Sequence, residues 1–314
     1  MRGRWAKPAI LVLLVVVLGP LSLWSVRETR RALALKTAPS GERPFVRRVL
    51  FEADSPYTHV VITEDGPGLR ALRFQRSGGR QSQVRLGEPL QLQLPYVRAF
   101  MVSLALVPDP KRILIVGLGG GSMAMFFRTL YPDVEIDGVD IDPLVVDVAE
   151  RYLGFKRDPK THVFVEDGRK VLERSAGDYD LILLDAFAGN DVPKHLITVE
   201  FTASVRNKLS DRGVAVANVW RPSQNPDYFQ ILRAWEAAFG SLCVLDVQGA
   251  PNTVFLGRHD GAPPTPATEE FMRKLELVQS EKHLPFDLKS FVRQGCLAQP
   301  KAKGPLLRDV DLHR

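Results

Sequence analysis

The stretch that decides the fold is Ile113–Ser122, ILIVGLGGGS. Its apolar start predicts a buried strand, and the glycines predict a tight turn into a helix. Glycine has no Cβ, so the turn can bring its backbone close to a ligand, next to the free N–H groups of the helix start. A plain strand–helix turn needs one or two glycines, whereas this one has four in five residues. The stretch therefore predicts a nucleoside-binding turn.

Three acidic residues follow at the ends of later predicted strands: Asp140 in DGVDIDP, Asp167 in VFVEDG and Asp185 in LILLDAF. A carboxylate at the Asp140 position can accept hydrogen bonds from ribose hydroxyls. Asp167 could accept from an adenine amino group or cap the next helix. Asp142, directly before a proline, is expected to be a helix cap.

Asp185 ends a very apolar predicted strand, where a charge costs free energy unless a partner compensates for it. Catalysis is one reason for such a residue, and a structural hydrogen bond is another. The polar loop that follows, AFAGNDVPKHLITVEF, carries Asp191, His195 and Glu200 and can form a lid or an acceptor site.

Strands and helices alternate around these motifs. Strands are predicted at 112–117, 134–140, 162–166, 179–185, 213–219, 241–247 and 252–257, and helices at 122–130, 143–153, 168–175, 198–209 and 225–239. Alternating βα units imply an α/β fold, a Rossmann-like, doubly wound and mostly parallel sheet. Its ligand is expected at the carboxyl ends of the strands, where the strand order reverses.

The predicted organisation has five parts. They are a membrane anchor at 1–36, a linker at 37–45, a small antiparallel β module at 46–94, the Rossmann-like catalytic domain at 95–260, and a C-terminal helix and tail at 261–314. The catalytic domain opens with a predicted helix, Tyr96–Leu106, and the C-terminal part with a predicted helix over Thr268–Gln279.

Charge and cysteine content exclude some classes of protein. Residues 1–48 carry ten Lys and Arg against two Glu, a net +8, so the +6 of the whole chain leaves −2 for the rest. The folded part lacks the basic surface that nucleic-acid binding requires, and we expect no nucleic-acid partner.

Cys243 and Cys296 are far apart and in no metal-ligand spacing, which predicts two reduced, buried thiols and no metal site.

Residues 8–26 are nineteen residues without a charge, flanked by arginines. Such a helix would span about 28 Å, close to the hydrocarbon thickness of a bilayer. A single-pass membrane anchor is the favoured interpretation, with a cleaved signal peptide as the main alternative. A buried core helix fits poorly, because every face is apolar and the flanks are charged.

The chain resembles the spermidine synthase (polyamine aminopropyltransferase) family of class I adenosylmethionine-dependent transferases, over about residues 46–260. The resemblance rests on SPYTHV at 55–60, QSQ at 81–83 and LPYVRAFM at 94–101, followed by GLGGGS, VDIDP, EDG and LLDAF in the family's order. It implies S-adenosylmethionine or its decarboxylated form as donor substrate, an amine as acceptor and no metal. A homodimer is a candidate assembly.

The resemblance also assigns roles to residues. The donor residues are Gly117, Gly119, Gly120, Gly121, Ser122, Asp140, Asp167 and Gly168. Asp140 would bind the ribose, Asp167 the adenine, and Asp185 would act as the base toward the amine. Tyr57, Gln81, Tyr96 and Asp191 are the candidate acceptor contacts. Since the donor is a cytosolic metabolite, we expect the catalytic domain on the cytoplasmic side of the membrane.

Two departures from the family pattern concern the substrates. The family usually has Asp after the glycines, where it favours a decarboxylated donor by repelling a carboxylate; here that residue is Ser122. The family's second acceptor Asp is Ala188 here, and Asp191 is its candidate substitute. Methyl transfer from S-adenosylmethionine is therefore an alternative to aminopropyl transfer.

Two other functional classes remain open at this level. Gly119-x-Gly121-x-x-Ala124 formally fits the dinucleotide-binding fingerprint, which would suit a nicotinamide-dependent oxidoreductase. The third acid, Asp167, counts against it, because it is expected when a carboxylate grips adenine. A non-catalytic, membrane-tethered nucleoside-binding protein is the other class, favoured by the alanine at position 188.

Overall fold

Two β-sheets organise the part of the chain that this computed structural model describes, residues 45–186, 192–262, 268–297 and 306–313. The first sheet is antiparallel, with its strands in chain order. Its strands are β1 (Arg48–Asp54), β2 (His59–Gly66), β3 (Leu69–Arg73) and β4 (Arg80–Arg85). The predicted antiparallel β module is thus present.

The second sheet has seven strands in the order β10-β11-β9-β8-β5-β6-β7. They are β5 (Arg112–Val116), β6 (Glu135–Asp140), β7 (Thr161–Val165), β8 (Tyr179–Leu184), β9 (Leu209–Trp220), β10 (Leu242–Asp246) and β11 (Asn252–Arg258). β5 to β9 pair in parallel, whereas β11 pairs antiparallel with β9 and with β10. The chain order reverses between β5 and β8, so the mostly parallel sheet that the sequence predicted has its switch point there.

Helices cover both faces of this sheet. The α-helices are α1 (Pro95–Phe100), α2 (Ser122–Leu130), α3 (Pro143–Tyr152), α4 (Gly168–Arg174), α5 (Val199–Asn207), α6 (Tyr228–Phe239) and α7 (Glu269–Glu281). One apolar core joins the sheet to α1, α2 and α7, and a second joins its other face to α4, α5 and α6. This three-layer arrangement is the doubly wound fold that the alternating pattern predicted.

The predicted helix over Tyr96–Leu106 is shorter in the structure. It is α-helical only over Pro95–Phe100 and continues as a 3₁₀ helix over Met101–Ala105. The buried hydroxyl of Ser103 donates to the carbonyl of Phe100 at 2.7 Å. A serine that bonds to the local backbone competes with the regular α-helical pattern, which accounts for the tighter turn.

The antiparallel sheet packs on α3 through a small apolar core. Val60, Ile62 and Leu72 from the sheet meet Val145 and Val148 from the helix, and all five are buried. This contact places the loops and strand ends of the antiparallel sheet beside the carboxyl ends of β5 and β6.

The expectation of two reduced thiols is wrong, because Cys243 and Cys296 form a disulfide. The backbone N–H of Leu297 donates to the carbonyl of Val244 at 2.8 Å, so the C-terminal segment runs beside β10. This brings the two Cα atoms to 5.1 Å, within the range that a disulfide needs. The two cysteines are close because of tertiary packing, and their wide separation in sequence gives no indication of it.

The predicted anchor at 8–26 and most of the linker at 37–45 lie outside the described residues. Within the described residues, no helix combines the length and the apolar character needed to cross a bilayer.

Candidate active site

A cavity of about 590 Å³ opens where the strand order reverses, between β5 and β8. Gly117, Asp140 and Asp185 reach it from the carboxyl ends of β5, β6 and β8. The antiparallel sheet and its loops contribute Tyr57 and Gln81. Its volume is in the range of small-molecule sites, and its place is the one expected for ligands of open α/β sheets.

Gly117 lets the turn after β5 pass against the end of β8. Its φ of 95° is one that residues with a side chain rarely adopt. A Cβ at this position would lie 2.3 Å from the carbonyl oxygen of Asp185. The glycine is therefore required for Asp185 to sit at the cavity, in addition to any contact with a ligand.

The later glycines of the turn have different environments. Gly119 lines the cavity. A Cβ on Gly120 would lie 2.6 Å from Oγ of Ser82, and a Cβ on Gly121 would lie 2.5 Å from the ring of Phe155. Close packing within the protein thus explains the last two glycines, and the cavity lies on the Gly119 side of the turn.

Asp140 ends β6 with a carboxylate that already accepts two backbone hydrogen bonds. Its Oδ2 accepts from the N–H of Gly119 at 2.9 Å, and its Oδ1 accepts from the N–H of Asp142 at 3.1 Å. Burial raises the pKa of Asp140 to about 6, although the backbone donors oppose this. Each oxygen keeps a second lone pair, so the carboxylate can still accept from ribose hydroxyls. Asp142 caps α3 as predicted, through the N–H of Leu144 at 2.9 Å.

Asp167 caps α4. Its Oδ1 accepts from the backbone N–H groups of Arg169 at 2.9 Å and Lys170 at 3.2 Å. Its Oδ2 lies 2.7 Å from Nε2 of His195, which comes from the loop after β8. The capping role is thus present, and an adenine amino group would share Oδ2 with His195.

Asp185 is held from two sides. Its Oδ2 accepts from the hydroxyl of Tyr96 at 3.1 Å, and its Oδ1 accepts from Nδ2 of Asn218 at 2.9 Å. Burial raises the pKa of Asp185 to about 7; the two donors lower this pKa, and the nearby charge of Asp140 raises it further. Burial, together with Asp185, holds the pKa of Tyr96 well above its ordinary value, so Tyr96 remains a donor.

Most of the predicted site residues meet at this one cavity. They are Tyr57, Gln81, Tyr96, Gly117, Gly119, Ser122, Asp140, Asp167, Gly168 and Asp185. Asp191 and Ala188 lie outside the described residues.

Several polar cavity residues were not assigned to the site from the sequence, among them Arg80, Asn218 and Asn252. His195, from the loop that was a candidate lid or acceptor site, also lines the cavity. The sequence could have indicated Asn218, because it is the polar residue in the apolar run VAVANVW. No sequence feature marked Asn252, since only the pairing of β11 with β9 brings it next to Asn218.

The cavity offers hydrogen-bond acceptors suited to a nucleoside and a carboxylate suited to an amine. Acceptors for a nucleoside come from β6 and from the start of α4, and the carboxylate of Asp185 stands at the end of β8. Ser122, at the start of α2, adds a neutral hydroxyl to the lining. Over the described residues, no group of three or more His, Cys, Asp or Glu side chains is arranged to hold a metal ion.

Comparison with known proteins agrees with this geometry. The Spermine/spermidine synthase domain matches residues 99–241. The polyamine aminopropyltransferase of Vibrio vulnificus is 34% identical over 229 residues, which cover 71% of this chain and 76% of that protein. This chain belongs to the spermine/spermidine synthase family. The predicted spermidine synthase-like transferase is thereby confirmed over the nicotinamide-dependent oxidoreductase.

Two further relatives place this family member in a wider group. A probable spermidine synthase from Corynebacterium glutamicum has a similar fold, with a TM-score of 0.63, 20% identity, and coverage of 84% of this chain and 100% of that one. The eEF1A lysine and N-terminal methyltransferase of Mus musculus is 30% identical over 175 residues, which cover 50% of this chain and 25% of that protein. The sequence relatives thus include proteins named as aminopropyltransferases and as methyltransferases.

Proposed function

We propose that the protein transfers an aminopropyl group from decarboxylated S-adenosylmethionine to an amine acceptor. The observation that carries this proposal is Asp185, a half-buried carboxylate that Tyr96 and Asn218 hold at the switch point of the sheet. The relative from Vibrio vulnificus, named as a polyamine aminopropyltransferase, supports the same reaction.

The geometry suits direct displacement at a sulfonium. Asp140 accepts from the ribose of the donor, and the protein positions the amine in line with the carbon that reacts. Asp185 takes a proton from the incoming ammonium, so the free amine forms a C–N bond as the C–S bond breaks. The products are an alkylated ammonium and a neutral thioether. A base whose pKa is about 7 suits this proton transfer near neutral pH.

Methyl transfer is the second candidate, and Ser122 is the observation that favours it. A neutral hydroxyl lines the cavity where an acid would repel the carboxylate of S-adenosylmethionine. The methyltransferase of Mus musculus supports it over a smaller part of the chain.

Ser122→Asp is expected to weaken binding of S-adenosylmethionine by about tenfold relative to the decarboxylated donor, because two carboxylates would share a partly desolvated cavity. Calorimetry of the full-length chain with each donor measures the ratio, and Ser122→Ala is the control that adds no charge. An unchanged ratio in Ser122→Asp would show that this residue does not face the donor carboxylate.

Product analysis decides between the two transfers. The full-length chain is incubated with each donor and a set of mono- and diamines, and mass spectrometry identifies the added group. We expect an aminopropyl adduct. Failure to modify any amine with either donor, by a chain that binds one of them, would contradict the proposed function and favour a non-catalytic nucleoside-binding protein.

We also propose that residues 8–26 anchor the enzyme in a membrane, with the catalytic domain on the cytoplasmic side where the donor is made. The uncharged stretch and its arginine flanks support the anchor. The disulfide between Cys243 and Cys296 argues for the opposite side, because cytosolic thiols are kept reduced.

We expect the protein in the membrane fraction after cell fractionation. We also expect that protease added outside the cells does not cleave the catalytic domain. Alkylation in intact cells, before lysis, then reports the state of Cys243 and Cys296. Reactive thiols support the cytoplasmic side. A disulfide together with protease sensitivity would overturn it, and a soluble form that lacks residues 8–26 would show a cleaved signal peptide.

A further inference from the structure

Three polar side chains form a chain of hydrogen bonds from the reacting end of the cavity into the sheet. Oδ1 of Asp185 accepts from Nδ2 of Asn218 at 2.9 Å, and Oδ1 of Asn218 accepts from Nδ2 of Asn252 at 2.7 Å. The two asparagines are each 5% exposed. They come from neighbouring antiparallel strands, β9 and β11, so the sheet itself fixes their spacing.

The bond from Asn252 decides how Asn218 presents its amide. An asparagine side chain has an acceptor oxygen at one end and a donor NH₂ at the other, with nearly the same shape. Rotation of this amide by half a turn would place its oxygen against the carboxylate of Asp185, and both hydrogen bonds of Asn218 would be lost. Donation from Asn252 stabilises the observed orientation, because only then does the oxygen of Asn218 have this partner.

We propose that Asn252 is a positioning residue for the transfer reaction. It orients Asn218, which holds the carboxylate of Asp185 toward the incoming amine. The inference rests on the proposed function for the role of Asp185, whereas the chain of hydrogen bonds can be tested without turnover.

The hydrogen bonds from Asn252 to Asn218 and from Asn218 to Asp185 also affect the charge state of Asp185. Donation from Asn218 and Tyr96 favours the ionised carboxylate, and burial opposes it. The other charged or titratable side chains that line the cavity include Arg80, Asp140, Asp142, Glu166, Asp167 and His195. Because a substitution at position 252 leaves all of these in place, it should act on Asp185 through Asn218. Loss of ordered donation then raises the pKa of Asp185.

The first test observes Asp185 directly in the full-length chain. Carbon-13 NMR follows the carboxyl groups of labelled aspartate through pH, and Asp185→Asn identifies the resonance of Asp185. Asn252→Ala and the volume-matched Asn252→Leu both remove the donor. We expect each to raise the titration midpoint of Asp185 by about half to one pH unit. Observation of this one resonance separates Asp185 from the other titratable groups that line the cavity.

Thr253→Val is the matched control. Thr253 is the next residue on β11 and is 2% exposed. Its hydroxyl donates to the carbonyl of Val219 at 2.9 Å and takes no part in the hydrogen bonds that join Asn252, Asn218 and Asp185. Its loss should cost stability without moving the midpoint of Asp185. Midpoints of both Asn252 variants that match those of Thr253→Val would overturn the inference.

Kinetics give the second readout. Both Asn252 variants should lower kcat by about tenfold and move the acidic limb of the pH profile upward, with donor affinity within about twofold of the unsubstituted chain. A shifted NMR midpoint in a protein that transfers no group would contradict the proposed function and leave the hydrogen-bond chain standing. Normal kcat and an unshifted pH profile in a protein that is active would contradict the positioning role itself.

Discussion

Asp185→Asn is expected to slow group transfer by about 10²–10⁴-fold while donor affinity stays within about twofold. The amide keeps the shape of the carboxylate but cannot take a proton from the incoming ammonium. Donor binding should persist, because the proposed ribose contact is Asp140, on a different strand. Mass spectrometry of the products gives the rate, and calorimetry gives the affinity.

Asp140→Ala is the reciprocal control. It should lose about 1–3 kcal/mol of donor binding, because ribose hydroxyls would lose a charged acceptor. If Asp185→Asn weakens donor binding as much as Asp140→Ala does, the division between a donor carboxylate and an acceptor carboxylate is wrong.

Asp185→Asn should also change how stability depends on pH. The pKa of Asp185 is about 7 in the folded protein and about 4 in an unfolded chain, so between these values the carboxyl ionises more readily in the unfolded chain and stability falls as the pH rises. This cost is absent below the unfolded pKa, grows up to the folded pKa and is constant above it. The variant should therefore gain stability relative to the unsubstituted chain between pH 5 and 8, on the order of 2 kcal/mol. Chemical denaturation at both pH values measures the difference, and parallel curves would contradict a raised pKa.

Gly117→Ala is the second change with a large expected effect. The added Cβ would meet the backbone carbonyl of Asp185 at 2.3 Å, at a φ of 95°. Because a backbone atom cannot move aside as the end of a side chain can, the turn after β5 or the end of β8 must shift. We expect a loss of about 3–5 kcal/mol in the free energy of unfolding, together with loss of transfer activity.

Gly119→Ala separates the clash from the backbone conformation. Gly119 also has a positive φ, 52°, but an added Cβ would have its nearest neighbour at 3.8 Å. Its cost should be about 1 kcal/mol, the usual cost of a left-handed conformation with a side chain. Denaturation of both variants in the same buffer makes the comparison. Equal losses would show that strain of the turn, and not contact with Asp185, explains Gly117.

The general fold could be predicted from local patterns. The runs at β5 and β8 are strongly apolar, each strand from β5 to β8 is followed by a helical pattern, and each is closed by a glycine or an acid. Strand and helix periodicity are local properties of the sequence, so they can be recognised without knowing which elements pack against each other. Two details differ from these predictions, one through a local hydrogen bond and one through a contact between segments distant in sequence. Ser103 tightens the first helix through its own hydrogen bond, and the disulfide follows from packing of the C-terminal segment on β10.

The sequence by itself determined the doubly wound sheet, the glycine turn, and the strand-end carboxylates Asp140, Asp167 and Asp185, because side chains at the carboxyl ends of parallel strands must meet at one edge. Only the tertiary structure decided what surrounds these carboxylates. Tyr96 and Asn218 reach Asp185 from a helix and a strand distant in sequence, and His195 occupies one oxygen of Asp167. Hydrogen bonds and desolvation depend on atoms a few ångströms apart, and that proximity is a property of packing rather than of the order of residues.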